Sequence, residues 1–176
     1  LSANTALSGL YCSYNQLTSL PNLSSNSALI SLSCNNNQLT SLPDLSANTA
    51  LTQLWCEGNQ LTSLPDLSAN TALTDLWCEG NQLTSLPDLS ANIELEYLGC
   101  SNNQFESLDL SGNSDLINVD LSDIPTLGMV CVWEIPFPTF GVTIDTTNSP
   151  NVFFSTDCME SSLNTTELNN KLNIYP

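Results

Sequence analysis

Leucines recur along this chain in a fixed phrase rather than in a helical stripe. In Leu51-Thr-Gln-Leu-Trp-Cys-Glu-Gly-Asn59-Gln-Leu61, apolar Leu54 and Cys56 alternate with Gln53, Trp55 and Glu57. Alternation with a period of two predicts a short strand, Leu54 and Cys56 facing inward and the other set outward. The rest of the unit, L-T-S-L-P-D-L-S-x-N, holds too many Pro, Ser and Asn for a long helix. It reads as extended or tight-turn structure. The unit from Leu39 to Gln60 returns almost unchanged from Leu61 to Gln82, and Cys12, Cys34, Cys56, Cys78 and Cys100 are each 22 residues apart. A degenerate copy, LINVDLSD, arrives one residue early because SLDL at 107–110 lacks the Pro of SLPDL. A coil of this size cannot bury its own leucines, so the period predicts a solenoid of stacked coils sharing one core.

Two polar columns keep the same period. Asn15, Asn37, Asn59, Asn81 and Asn103 each follow a Cys by three residues, and are expected to bond backbone groups where the chain leaves the strand. Asn22, Asp44, Asp66, Asp88 and Asp109 form a column on the convex side. Stacked carboxylates about 4.8 Å apart repel one another unless amides or cations hold them. Asx turns to the following Ser-x-Asn amides are the expected solution. A calcium column is the alternative, without the clustered oxygen ligands of a dedicated site.

Charge narrows the chemistry. Of 176 residues, 18 are acidic against a single Lys, Lys171, with no Arg or His, for a net charge of −17. Phosphate neutralisation is therefore out of reach, which excludes nucleic acid and an anionic membrane surface as partners. Without His, Ser-His-Asp, Cys-His and His-zinc sites cannot form. No run of 18 apolar residues occurs, so membrane insertion is not expected. No leader is visible, and the opening LSANTAL recurs later in the chain, so the chain is expected to begin within a repeat, as a mature fragment or as a piece cut from a longer chain. The five ladder cysteines read as small buried hydrophobes with free thiols, since an odd number cannot pair fully and in-register side chains point in parallel. Their spacing is unlike a zinc motif.

The phrase L-x-x-L-x-C-x-x-N-x-L, repeated over residues 1–127, resembles the leucine-rich repeat, with Cys where Leu is usual. The resemblance implies a parallel β-sheet on the concave face, turns and extended segments on the convex face, little helix, and binding through the concave side. Residues 128–158 change composition, with Phe137, Phe140, Phe153, Phe154 and the pair Cys131 and Cys158. A solenoid's open apolar end must be covered, and an aromatic segment can do so. This stretch is similar to the C-terminal cap of secreted leucine-rich-repeat proteins of Bacteroidetes-type bacteria, ending in Phe154-Ser-Thr-Asp-Cys158, although its start, Cys-Val-Trp-Glu-Ile, departs from the usual form. The resemblance implies a Cys131–Cys158 disulfide and hence an oxidising compartment. Residues 159–176 read as a linker whose end, Leu172-Asn-Ile-Tyr-Pro176, resembles the opening of a type IX secretion C-terminal sorting domain. The implied location is secreted or at the bacterial cell surface.

Outward strand positions supply the candidate site. Trp55 and Trp77 are expected about 5 Å apart as one apolar platform, with Gln53, Glu57, Asp75 and Glu79 beside them and Tyr11 and Tyr97 to either side. Exposed aromatics of this kind anchor protein interfaces and stack on sugars. Plain duplication of a coil would also place two Trp there. Glu57 and Glu79 approach the carboxylate spacing of retaining glycosidases, but a flat exposed sheet is expected to offer no pocket that desolvates an acid. No enzyme activity, cofactor or metal is therefore expected. Thr18, Thr40, Thr62 and Thr84 form a further column, for which ice binding is a minor reading beside β-propensity and solvent-facing turns. The expected function is an extracellular or cell-surface binding module, monomeric, recognising a protein or glycan through its concave face. The alternative is a structural spacer or adhesin stalk without a ligand of its own.

Overall fold

The computed structural model describes residues 1–158, which are built from strands and turns with no helix among them. One strand per coil supplies the main sheet: β1 (Gly9–Tyr11), β2 (Ser31–Ser33), β3 (Gln53–Trp55), β4 (Asp75–Trp77) and β5 (Tyr97–Gly99). A second group begins with β6 (Leu108–Asp109), and β7 (Asn118–Asp120), β8 (Met129–Cys131), β9 (Thr143–Asp145) and β10 (Phe153–Ser155) complete the set. The main sheet has seven parallel strands in the order β1-β2-β3-β4-β5-β7-β9. Its register carries Leu10, Leu32, Leu54, Leu76, Leu98, Val119 and Ile144 in one row. From Leu32 to Val119 that row is buried. Each coil thus covers the leucines of the next, which is the packing a single coil could not provide.

The strand-exit Asn column acts as expected. Asn59 Nδ2 donates to Cys56 C=O at 3.0 Å in its own coil and to Cys34 C=O at 3.1 Å in the previous one. Its Oδ1 accepts the Leu39 N–H at 3.0 Å. Asn37, Asn81 and Asn103 repeat this arrangement. The residue before each Asn is left-handed: Asn36 at φ 54, Gly58 at φ 64, Gly80 at φ 60 and Asn102 at φ 53. Gly and Asn tolerate this conformation best. A second amide column, absent from the sequence reading, lies on the other side of the core. Asn48 is fully buried and donates to Leu23 C=O at 3.1 Å and Asn26 C=O at 2.8 Å. Asn26, Asn70, Asn92 and Asn113 do the same. The LSxN phrase at period 22 is the signal that could have revealed it.

Loss of one proline changes the far end of the molecule. Proline cannot donate a ladder hydrogen bond, so the SLPDL turns stay out of any sheet. Where SLDL lacks it, Leu108–Asp109 becomes β6 and pairs with β8, Leu110 N–H donating to Cys131 C=O at 2.8 Å. β10 joins from the other side of β8, giving a second parallel sheet in the order β10-β8-β6. Cys131, the last residue of β8, is disulfide-bonded to Cys158. Trp133, Phe137 and Phe154 pack on the core, Phe137 edge-on to Trp133 at 5.2 Å and tilted on Phe154 at 4.8 Å. Phe140, by contrast, is fully exposed. The segment 128–158 does more than cover the end, because β9 extends the concave sheet by one strand. The expected linker and sorting-domain start at 159–176 lie outside the described residues, as does Lys171.

The ladder thiols are free, four of them buried and Cys12 half-buried. Burial pushes the Cys34 thiol up to about 12, with Cys12 and Glu57 adding to the shift. The Cys56 thiol donates to Trp77 C=O at 3.4 Å and the Cys78 thiol to Gly99 C=O at 3.2 Å.

Candidate functional site

Three rows of side chains cover the concave face. The first position of each strand gives Gly9, Ser31, Gln53, Asp75, Tyr97, Asn118 and Thr143. The third gives Tyr11, Ser33, Trp55, Trp77, Gly99, Asp120 and Asp145. Just past the strands come Ser13, Asn35, Glu57, Glu79, Ser101 and Ser122. The predicted set therefore shares one surface, with Tyr11 two strands away from Trp55 and Tyr97 one strand away from Asp75.

Facing is as expected: Leu54, Cys56, Leu76 and Cys78 are buried while Trp55 and Trp77 lie on the opposite side. The single stacked platform is not formed. Trp55 and Trp77 are register partners, yet the ring contacts among the described residues are those of Trp133, Phe137 and Phe154. Both indoles are half-buried, and Trp55 Nε1 is enclosed without a hydrogen-bond partner. Ser33, the register partner of both Tyr11 and Trp55, is only 6% exposed. Tyr11 folds back over Gly9, its Cε2 lying 2.6 Å from where a Cβ would be, and remains 69% exposed.

The acids are not freely solvated, which corrects the expectation of a flat sheet unable to desolvate them. A Cβ at Gly99 would collide with the Glu79 carboxylate, so the glycine is the space in which that group lies. Burial pushes the Glu79 carboxyl up to about 7, with Glu57 and Asp120 adding to the rise. Burial also raises the Glu57 carboxyl. One carboxylate oxygen of each, Oε2, is enclosed with no partner. Asp75 is oriented differently, its Oδ2 accepting the Thr74 hydroxyl at 2.6 Å. Asp120 and Asp145 continue the acidic surface and are fixed by their own turns, accepting Ser122 N–H at 2.9 Å and Thr147 N–H at 2.8 Å. Asp145 was missed in the sequence because it lies in the cap. Its phrase Val142-Thr-Ile-Asp-Thr-Thr copies Ile117-Asn-Val-Asp-Leu-Ser and could have placed it.

Chemically, the face offers half-buried carboxylates, indole and phenol edges, and no basic side chain, since residues 1–158 contain no Lys, Arg or His. The other columns are occupied differently. Asp44, Asp66 and Asp88 sit in Asx turns, Oδ1 accepting Ser46, Ser68 and Ser90 N–H at 2.8, 2.8 and 2.9 Å, which holds these exposed carboxyls below their ordinary value. Thr18, Thr40, Thr62 and Thr84 are exposed. A cleft of ≈ 300 Å³ opens on the convex side where the proline is lost, lined by Leu86, Asp88, Leu108 and Asp109 among others, and by none of the predicted site residues.

The family described as Leucine Rich repeats (2 copies) matches the chain at residues 5–47 and again at 49–91. Solved structures extend the likeness. The leucine-rich effector protein YopM of Yersinia pestis is 30% identical over 85% of this chain and 45% of its own, with a TM-score of 0.64. YopM of Yersinia enterocolitica WA-314 is 29% identical over 84% of this chain and 35% of its own, at 0.58. The leucine-rich repeat domain of APL1B is 25% identical over 84% and 46%, at 0.66. The chain spans less than half the length of each of these structures. No curated protein matches it.

Proposed function

We infer that this leucine-rich-repeat solenoid is an extracellular or cell-surface binding module that recognises a protein or a glycan through its concave face. Leucine-rich-repeat proteins are generally binding scaffolds rather than enzymes, and an interaction role fits the surface here. The observation that carries the reading is the concentration of Tyr11, Trp55, Trp77 and Tyr97 on one face together with Glu57 and Glu79, whose enclosed Oε2 atoms have no partner. Unpaired buried polar atoms are costly, and a ligand's complementary groups would relieve that cost. The Cys131–Cys158 bond supports an oxidising location. No reaction is assigned to the two Glu.

The test is capture of surface partners by the wild-type protein and by Trp55→Ala and Trp77→Ala. Each should weaken a captured ligand by about thirtyfold, the effect of losing an interface anchor of 2 kcal/mol. Both indoles are half-buried, so each variant should lose some stability while staying folded at room temperature by circular dichroism. Unchanged capture by folded variants would leave the spacer or stalk as the better description.

A further inference from the structure

The acids on the concave face are too many, and too enclosed, for the charge available to them within residues 1–158. Glu57, Asp75, Glu79, Asp120 and Asp145 share this face, and no Lys, Arg or His lies anywhere in the described residues to meet them. Enclosing a carboxylate removes its water, and without a counter-charge the anion is disfavoured. Glu57 and Glu79 show the result: each has an Oε2 atom shut off from solvent without a hydrogen-bond partner, and among the described residues the only donor acting on either carboxylate is its own backbone N–H. A neutral sugar would supply hydroxyls but no counter-charge to the two enclosed carboxyls. Nucleic acid, acidic glycans and anionic membranes would be repelled.

We propose that the concave face receives an extended, Arg- or Lys-bearing segment of a partner protein, with one cation seated between Glu57 and Glu79 beside Trp77 and further cations along Asp120 and Asp145. The proposal rests on the concave-face reading above and names its partner class. Charge complementarity selects the occupant, and geometry fits it. From β3 to β9 the sheet crosses four inter-strand steps of about 4.8 Å, roughly 19 Å, which an extended chain of about six residues spans. A guanidinium can pair with both carboxylates and lie against an indole edge or face, a combination an ammonium or hydroxyl matches less well.

The probe is a nonapeptide of alternating Arg and Ser, titrated by calorimetry in buffer containing EDTA. Its control is the same peptide with citrulline, an uncharged isostere, in place of Arg. Two variants of the protein remove charge from opposite faces: Glu57→Gln with Glu79→Gln, and Asp44→Asn with Asp66→Asn and Asp88→Asn on the convex turns. The Arg peptide should bind, the citrulline peptide should not, and the double Glu variant should lose about tenfold or more in affinity. The convex variant, though it removes more charge, should lose less. Affinity should also rise from about pH 5.5 to 8, because only the ionised carboxylate attracts the cation and Arg keeps its charge throughout. The titratable groups that act on Glu79 are Glu57 and Asp120, and the Cys78 thiol lies close enough to feel both Glu.

Equal losses in the two variants would mean attraction to bulk charge and would overturn the proposal. Binding of the citrulline peptide or of cellohexaose, weakened by Trp77→Phe, would overturn it too while leaving the concave-face reading intact. Absence of Arg-peptide binding overturns it outright, and the Trp variants above then decide the broader reading separately.

Discussion

Two asparagine columns hold the coils together, and their side chains are satisfied to different degrees. Asn59 uses both ends, donating to two strand-exit carbonyls and accepting the Leu39 N–H. Asn48 donates twice, yet its Oδ1 is buried without a partner. Truncating either to Ala takes one of two donors from each of two carbonyls, but only at Asn59 is an N–H stranded as well, and only at Asn48 is an orphan acceptor removed. Asn59→Ala should therefore cost about 3 kcal/mol and Asn48→Ala about 2, read from denaturant midpoints. The reverse order would show that the stranded Leu39 N–H does not decide the cost. Gly58 matters at the same scale: its φ of 64 favours glycine, and an added Cβ would meet Asn36 Oδ1 at 2.8 Å.

At the scale of elements, the end of the solenoid is fastened by three short strands and one covalent bond. β10 reaches β8 through only three register pairs, Phe153 to Met129, Phe154 to Val130 and Ser155 to Cys131. The disulfide closes a loop of sequence separation 27 around this sheet. In the chain-entropy view that closure is worth about 3 kcal/mol. Because coils contact only their neighbours, its loss should be felt locally. Cys158→Ser should lower the unfolding temperature by several degrees and raise amide exchange in β8 and β10 before β2 and β3. Uniformly faster exchange along the whole sheet would contradict a local clamp.

Over the whole molecule, stability follows the state of the acids. Glu79 has a folded value of about 7 against an ordinary 4.5, so the fold favours its neutral form. That contribution is complete below 4.5 and is lost as pH rises through about 7. The turn carboxyls Asp44, Asp66, Asp88 and Asp145 have the opposite sign: their contribution is present above 3.8 and lost as pH falls through their lowered values. Repulsion within a chain of charge −17 acts in the same direction as Glu79. The melting temperature should thus be higher at about pH 5.5 than at about pH 8.5, and Glu79→Gln should raise it at the alkaline value and hardly at the acid one. An equal rise at both would mean that the carboxyl is not the titrating group.

What the sequence determined by itself is whatever repeats from coil to coil. Inward Leu54 and Cys56, the Asn59 bridge, the Asp66 turn and the outward facing of Trp55 follow from a 22-residue period. Stacking in register gives each such side chain the same neighbour one coil away, so local pattern and tertiary contact coincide. The tertiary structure alone decided whatever breaks that translation. One missing proline opened a second sheet at Leu108–Asp109, and β9 entered the main sheet from a segment that carries no Leu-x-x-Leu phrase. At the centre of the concave face, Gly99 left a space that only a neighbouring coil's side chain could fill, and Glu79 lies in it. Its burial depends on the differing sizes of side chains on adjacent strands, which no period of one residue type encodes.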